Sequence, residues 1–254
     1  MAWDFETDPE FQEQLDWMDD FVREEIEPLD FIITSPYDLT DPVRNEIIKP
    51  LQQQVQEREL WACHLGPDLG GPGYGQVKLA LMNEILGRAR CAPTVFGTQA
   101  PDTGNSEILA HFGTPEQKEQ FLFPVVKGEK TSCFCQTEPE AGGDPGGMRT
   151  TAVRDGDHYL INGHKRFITG AGGADFAQVV TATDREKGSR GGLTVFLVDM
   201  DTPGITKLRQ QDMMIADKPW EVLFENVKVP VSQRVGEEGA VSYTHLTLPT
   251  ILLV

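Results

Sequence analysis

The sequence predicts an α+β protein: an all-α N-terminal domain followed by an antiparallel β-barrel or sandwich. Three observations carry that expectation. Apolar residues recur at helical spacing through the first half of the chain. From Thr131 onward the period shortens to alternating runs broken by Asp155-Gly156 and Asn162-Gly163. At 254 residues the chain suffices for one large domain or two modest ones. The change of period sets a helical domain at residues 1–130 and a β domain at 131–239.

Composition bounds the function before any motif is considered. Hydrophobic residues make up 39% and charged residues 24%, the balance of an ordinary soluble globular chain. Lys and Arg total 22 against 40 Asp and Glu, a net charge of -18, which disfavours nucleic acid and anionic membrane as partners. An anionic ligand then needs local positive charge or backbone amide dipoles. Cys63, Cys91, Cys133 and Cys135 have neither C-x-x-C spacing nor disulfide-scaffold density, so they read as reduced apolar residues, with no metal site, in a cytoplasmic protein. The acidic Met1–Glu6 stretch lacks the basic and apolar regions of a secretory signal, and no apolar run is long enough to span a bilayer.

The helical elements follow from start signals and spacing. Thr7 or Asp8 before Pro9 opens a helix that buries Phe11, Leu15, Met18, Val22 and Ile26, with Pro28 as its stop. Asp41-Pro42 opens a second, with Val43, Ile47, Leu51 and Val55 on one side and Lys49-Pro50 as a kink. Trp17 and Trp61 read as core or interface aromatics. The loop from Gly66 to Gly75 is rich in Gly and Pro, but Gly71, Gly73 and Gly75 miss G-x-G-x-x-G spacing and no strand precedes them, so it reads as a structural turn. A third helix, from Gln76 to about Arg90, sets Val77, Leu81, Ile85 and Ala89 on one face. Asp102 to His111 and Pro115 to Val126 give two more, the latter with Thr114 as N-cap and Pro115 at its first position. His111, at a helix end, reads as a C-terminal capping group.

The strands come next: Thr151–Arg154, Tyr159–Ile161 and Arg166–Ile168 joined by hairpin turns, then Gln178–Ala182, Leu193–Val198, Gly204–Leu208 and Trp220–Phe224, with 226–231 as an extension. Asp184 to Gly192 is a charged surface loop. Residues 240–254 break with what precedes them, carrying no acidic or basic side chain, and read as a non-native or disordered tail; a native edge strand or membrane-touching tail is the weaker alternative.

Two stretches carry the chemistry. One runs from Cys133 to Asp144 through Phe134, Cys135, Gln136, Thr137, Glu138, Pro139, Gly142 and Gly143; the other is Arg166-Phe167-Ile168-Thr169-Gly170-Ala171. Each sets an aromatic shortly before a threonine, and the glycines let backbone amides approach an anionic group. On chemistry alone, two strands ending in a Gly-rich turn is an equally good reading. Thr137-Glu138-Pro139 with Ala141-Gly142 and Asp144, then Phe167-Ile168-Thr169, resembles the paired flavin-binding motifs of the acyl-CoA dehydrogenase family. His111 to Lys118 and Glu225 to Pro230 with Gly236 to Gly239 are similar to further family segments, so the resemblance covers residues 8 to 239.

The resemblance implies FAD as cofactor and dehydrogenation of an acyl-CoA thioester between its α and β carbons. It implies cofactor contacts from Phe134, Cys135, Gln136, Thr137, Gly142, Gly143, Phe167, Ile168 and Thr169, with Gly143 also beside the substrate. Thr137 would address the pyrimidine edge of the flavin and Thr169 its N5. Departures are Gly143 for a usual serine, Phe167 for a common tryptophan, Gln136 at a usually apolar site and Gly170-Ala171 for a common Asn-Gly. The family's catalytic glutamate comes from a second helical domain absent from this sequence, so no catalytic residue is expected here, and Glu138 reads as a structural acceptor. The chain as written is then an inactive fragment whose full-length form is a homotetramer passing electrons to an electron-transfer flavoprotein. A same-fold oxidase or monooxygenase, and a non-catalytic CoA- or acyl-binding module, stay open.

Overall fold

Asp8 starts the first helix as its sequence dictates. In the computed structural model, which describes residues 7–67, 71–214 and 217–241, its carboxylate accepts the Phe11 N–H at 2.9 Å with Pro9 in the first turn of α1 (Pro9–Phe21). Phe11, Leu15, Met18, Val22 and Ile26 are all buried, as their spacing requires. The helical path outlasts α1 through a π turn at Val22–Ile26 and a 3-10 turn at Glu27–Phe31, so Pro28 tightens it rather than stops it. Pro28 lies in the first turn of that 3-10 segment, where a missing N–H costs no hydrogen bond.

Two later helices present different faces from those the spacing predicts. In α2 (Pro42–Glu57) the buried set is Arg44, Ile48, Leu51 and Val55, with Val43 exposed and Pro50 carried inside the helix. Arg44 is inward because it has partners: its Nε donates to Pro36 O at 2.9 Å and its Nη1 to Asn45 Oδ1 at 2.8 Å. In α3 (Gly75–Leu86) Met82 and Leu86 are buried while Val77 is exposed. Ala89 is buried beyond the helix end, ahead of the short α4 (Ala92–Val95). The core joins Phe11, Met18, Ile26, Ile48, Leu60 and Phe96, with Trp17 stacked on Phe21 at 4.7 Å.

After α5 (Asp102–Phe112), one helical run passes through α6 (Pro115–Gln117), a π turn at Lys118–Leu122 and α7 (Phe123–Val126). It begins with a reciprocal capping box between Thr114 and Gln117. The strands are β1 (Ser132–Cys135), β2 (Thr151–Asp155), β3 (His158–Ile168), β4 (Phe176–Ala182), β5 (Leu193–Asp199), β6 (Ile205–Gln210), β7 (Trp220–Pro230) and β8 (Arg234–Val235). They form a single sheet in the order β6-β7-β3-β2-β4-β5-β8, with β1 added on β4.

The α+β class is as predicted, but the sheet corrects the expectation in three ways. It is mixed, since β1 and β2 both pair in parallel with β4; the long 136–150 connection lets β2 follow β1 onto one edge of β4, which a tight hairpin could not. It is also open, its path ending at β6 and β8. Finally, Asn162-Gly163 is no turn but lies inside β3. Gly163 is there for closeness: a Cβ on it would sit 2.2 Å from Thr150 Oγ1.

Close packing divides the chain into two units, Met1–Pro36 with Pro42–Gln99, and Tyr37–Asp41 with Ala100–Val254. The first strand begins only at Ser132, so the change of secondary structure and the change of packing fall at different places. Val241 is buried and its N–H donates to Leu193 O at 3.1 Å; the rest of the tail expectation, from residue 242, lies outside the described residues.

Candidate functional site

The two motif stretches are neighbours because β3 carries a bulge. Lys165 pairs with Val222 and Ile168 with Trp220, so β3 has one residue more than β7 across that interval. Phe167 takes up the excess with a left-handed backbone, φ 60°, and the residue is 45% exposed. A large aromatic held in that conformation is strained, and strain of this kind gathers at working sites. Arg166, freed from β7, donates its N–H to Thr137 O at 2.8 Å. A second tie follows at the other end of β1, where Asp175 N–H donates to Thr131 O at 3.0 Å and Asp175 Oδ2 accepts the Thr131 N–H at 2.8 Å. Between these ties the 166–175 segment, with Thr169, runs back along β1 and its exit.

The predicted site residues divide by exposure. Phe134, Gln136, Thr137 and Thr169 are half-buried, and Thr169 Oγ1 reaches Asp217 Oδ2 at 3.3 Å. Cys135 and Ile168 are buried in the β core, so they offer a ligand only their backbone. Gly142 and Gly143 are exposed, with nothing within 4 Å of an added Cβ, so a serine would fit at 143. Asp144 then caps a short 3-10 turn, Pro145–Gly147, accepting the Gly146 N–H at 2.8 Å.

Beneath this surface lies an ion pair that the sequence reading missed. Lys165 and Glu138 meet at 2.9 Å with side chains 0% and 2% exposed. Lys165 Nζ also donates to Gln136 O at 2.9 Å, while Glu138 accepts the Arg149 N–H at 2.6 Å and the Thr150 N–H at 2.9 Å. Glu138 is the structural acceptor its motif position suggests. Burial opposes its charge, but the Lys165 ammonium and these donors outweigh burial and hold its carboxyl below the usual range. Burial pulls Lys165 below its ordinary range, with Glu138 opposing. The signal was present in the alternation of β3: Tyr159, Ile161 and Lys165 share the inward face, and an inward lysine demands a partner.

A second cluster, also missed, surrounds Glu221 on β7. Arg209 grips it with Nη2 at 2.8 Å and Nε at 3.1 Å, Arg166 Nε stands at 3.2 Å, and His164 Nε2 at 3.6 Å. The Arg209 bonds lead in keeping the Glu221 carboxyl below its usual range. Arg166 also lies over the Phe167 ring at 4.7 Å. The four cysteines are free and buried; Cys133 and Cys135 lie 3.9 Å apart, and their contact together with burial pushes the Cys133 thiol up. Among the described residues no group of three His, Cys, Asp or Glu side chains could hold a metal, and no helix is long and apolar enough to cross a membrane.

Comparison with known proteins shows the family. Family models described as "Acyl-CoA dehydrogenase, N-terminal domain" and "Acyl-CoA dehydrogenase, middle domain" match residues 8–129 and 133–227. A 3-(aryl)acrylate reductase of Clostridium sporogenes is 35% identical over 86% of this chain and 56% of its own length. The CarC subunit of the caffeyl-CoA reductase-Etf complex of Acetobacterium woodii is 37% identical over 66% of this chain and 45% of its own. The structure of butyryl-CoA dehydrogenase from Megasphaera elsdenii superposes with a TM-score of 0.73 at 31% identity, covering 93% of this chain and 61% of that one. The chain thus spans about half to three-fifths of these proteins, and it belongs to the acyl-CoA dehydrogenases, a family of FAD-dependent flavoprotein oxidoreductases.

Proposed function

We propose that this chain forms the flavin-binding part of an acyl-CoA dehydrogenase that acts on the α,β carbon–carbon bond of an acyl-CoA thioester. The observation that carries the reading is the Arg166 N–H to Thr137 O bond, which makes the two motif stretches adjacent walls of one place. The residues present suit the cofactor's chemistry. Phe167 offers an exposed aromatic face on strained backbone, half-buried Thr137 and Thr169 offer hydroxyls, and Gly142 with Gly143 leaves backbone uncovered for an anionic group. When FAD is bound it supplies the redox chemistry, and the protein's share is to hold and orient.

In this reading Thr137 meets the polar edge of the ring system, Thr169 the side where the substrate carbon approaches, and Phe134 and Phe167 pack against the ring. Gly142 and Gly143 bring amides toward phosphate or pantetheine. Glu138 is committed to Lys165, Arg149 and Thr150, so proton abstraction from the α carbon falls to a carboxylate elsewhere than the motif. The division into residues 1–130 and 131–239 is retained, the four free thiols fit a reducing, cytoplasmic setting, and a homotetramer of the whole protein serves an electron-transfer flavoprotein. The name of the Acetobacterium relative, a subunit of a reductase-Etf complex, supports that electron partner.

Two relatives are named reductases, which favours one second reading: the same reaction run toward the saturated thioester. Anaerobic mixing with the whole protein, since the α-proton base lies outside the motif stretches, separates the readings. A dehydrogenase loaded with FAD loses its visible flavin absorption on addition of saturated acyl-CoA, whereas a reductase, once chemically reduced, regains it with enoyl-CoA and resists the saturated ester. Rapid recolouring by oxygen alone would instead identify an oxidase, and protein that binds acyl-CoA but takes up no flavin would identify a binding module and end the proposal.

A further inference from the structure

A charged pair inside a β unit is an uneconomical way to gain stability, because desolvation cancels most of its attraction; its best-attested use is to specify register. The Lys165–Glu138 pair is placed for that use. It joins the exit of β1 at 136–138, the approach to β2 at 149–150 and the end of β3, all through bonds of 2.6 to 2.9 Å. Lys165 is the last β3 residue before the bulge, and the next residue, Arg166, transfers its N–H from the β7 ladder to Thr137 O.

Residues 136–138 follow β1, with Glu138 buried and Thr137 half-buried, so a slip of one residue there would take Glu138 from Lys165 and Thr137 O from the Arg166 N–H. An apolar residue at 165 could fill the same space without opposing that slip. A buried ammonium opposes it, since only one register supplies both a carboxylate and a carbonyl within 2.9 Å.

We propose that Lys165 is a positioning residue for the flavin site: its paired ammonium fixes the register in which Thr137 and the Phe167–Thr169 segment face one flavin nucleotide. This rests on the flavin-binding reading above. It assigns Lys165 no contact with cofactor or substrate.

The test is the double variant Lys165→Met with Glu138→Gln in the whole chain, which removes both charges together and leaves no unpaired ion. Three quantities are read: the urea midpoint, the exchange rate of the Arg166 amide against β4–β5 amides as internal reference, and the dissociation constant for FAD followed by flavin fluorescence. The expected result is a folded chain whose Arg166 amide exchanges about tenfold faster or more and whose FAD affinity falls by about tenfold or more, with β4–β5 protection retained. A folded double variant with wild-type Arg166 protection and wild-type FAD affinity overturns the proposal. If wild-type chain takes up no FAD, the flavin reading fails, and Arg166 protection alone then decides the register claim: its loss supports it and its retention refutes it. Where the double variant does not fold, Glu138→Gln takes its place with the same outcomes, since a lysine left without its carboxylate can lose its proton rather than stay as a buried ion.

Discussion

The buried side-chain hydrogen bonds of the two compact units differ in reach along the chain. In the helical unit the buried Arg44 reaches Pro36 O, eight residues away, and both units leave some buried polar atoms without hydrogen-bond partners, the His64 ring in the first and Gln178 Oε1 in the second. In the unit that holds the sheet, Lys165 meets Glu138, and Asp102 accepts both the N–H and the hydroxyl of Ser132, which also accepts from Asn105. The first unit is organised by its apolar stripes. The second is organised by polar links that hold neighbouring segments in one alignment, and the motif residues lie along those links.

The sharpest way to break this contrast is to cut one such link. Lys165→Met alone leaves the Glu138 carboxylate buried with only backbone donors, and is expected to destabilise by about 3–5 kcal/mol in urea unfolding. A loss under about 1 kcal/mol would mean that the pair holds nothing. The helical unit should answer instead to its true apolar face. Met82→Ala, at a fully buried site, is expected to cost about 2–5 kcal/mol, while Val77→Ala, at a position 78% exposed, should stay within about 0.5 kcal/mol. Equal losses would return α3 to the face its spacing suggests.

Acid separates the units by window, since both lose stability as pH falls. Burial pulls His64 down from 6.5 to about 4, so between those values the unfolded chain binds a proton that the folded chain refuses. Stability is therefore full above 6.5 and falls as pH drops toward 4, by up to about 3 kcal/mol. His64→Leu should flatten that slope between pH 7 and pH 4.5. The Glu138 contribution is present above the ordinary carboxylate range and disappears only as pH falls through its lowered value, so its loss comes at more acidic pH. The smallest effect belongs to a helix start: Thr114→Ala dissolves the capping box and should cost about 1 kcal/mol in the same unfolding assay.

Local chemistry was readable and tertiary choices were not. Asp8 with Pro9 and Thr114 with Pro115 start helices where the sequence puts them, because an N-cap is satisfied within a few residues. The strands from Phe176 to Pro230 likewise fall within a few residues of where their apolar runs and turns put them. Val43 and Val77 were misplaced because spacing marks a stripe without saying which neighbour covers it, and Arg44 took the inward position through a carbonyl eight residues away. Asn162-Gly163 matches a hairpin turn locally, yet the glycine is required by Thr150 across the sheet. At the site, the aromatic–threonine spacing marked both stretches, but neither the bulge at Arg166-Phe167 nor the Lys165–Glu138 contact, 27 residues apart in sequence, could be read from local pattern.

The central claim is that Thr137 and Thr169 serve the same bound ring. Its most direct test is FAD titration of the chain and of Thr137→Val and Thr169→Val, followed by visible absorption. The account predicts saturable uptake by the wild type and a loss of about tenfold in affinity for each variant, roughly one hydrogen bond apiece. No saturable uptake, or uptake indifferent to both substitutions, would contradict it.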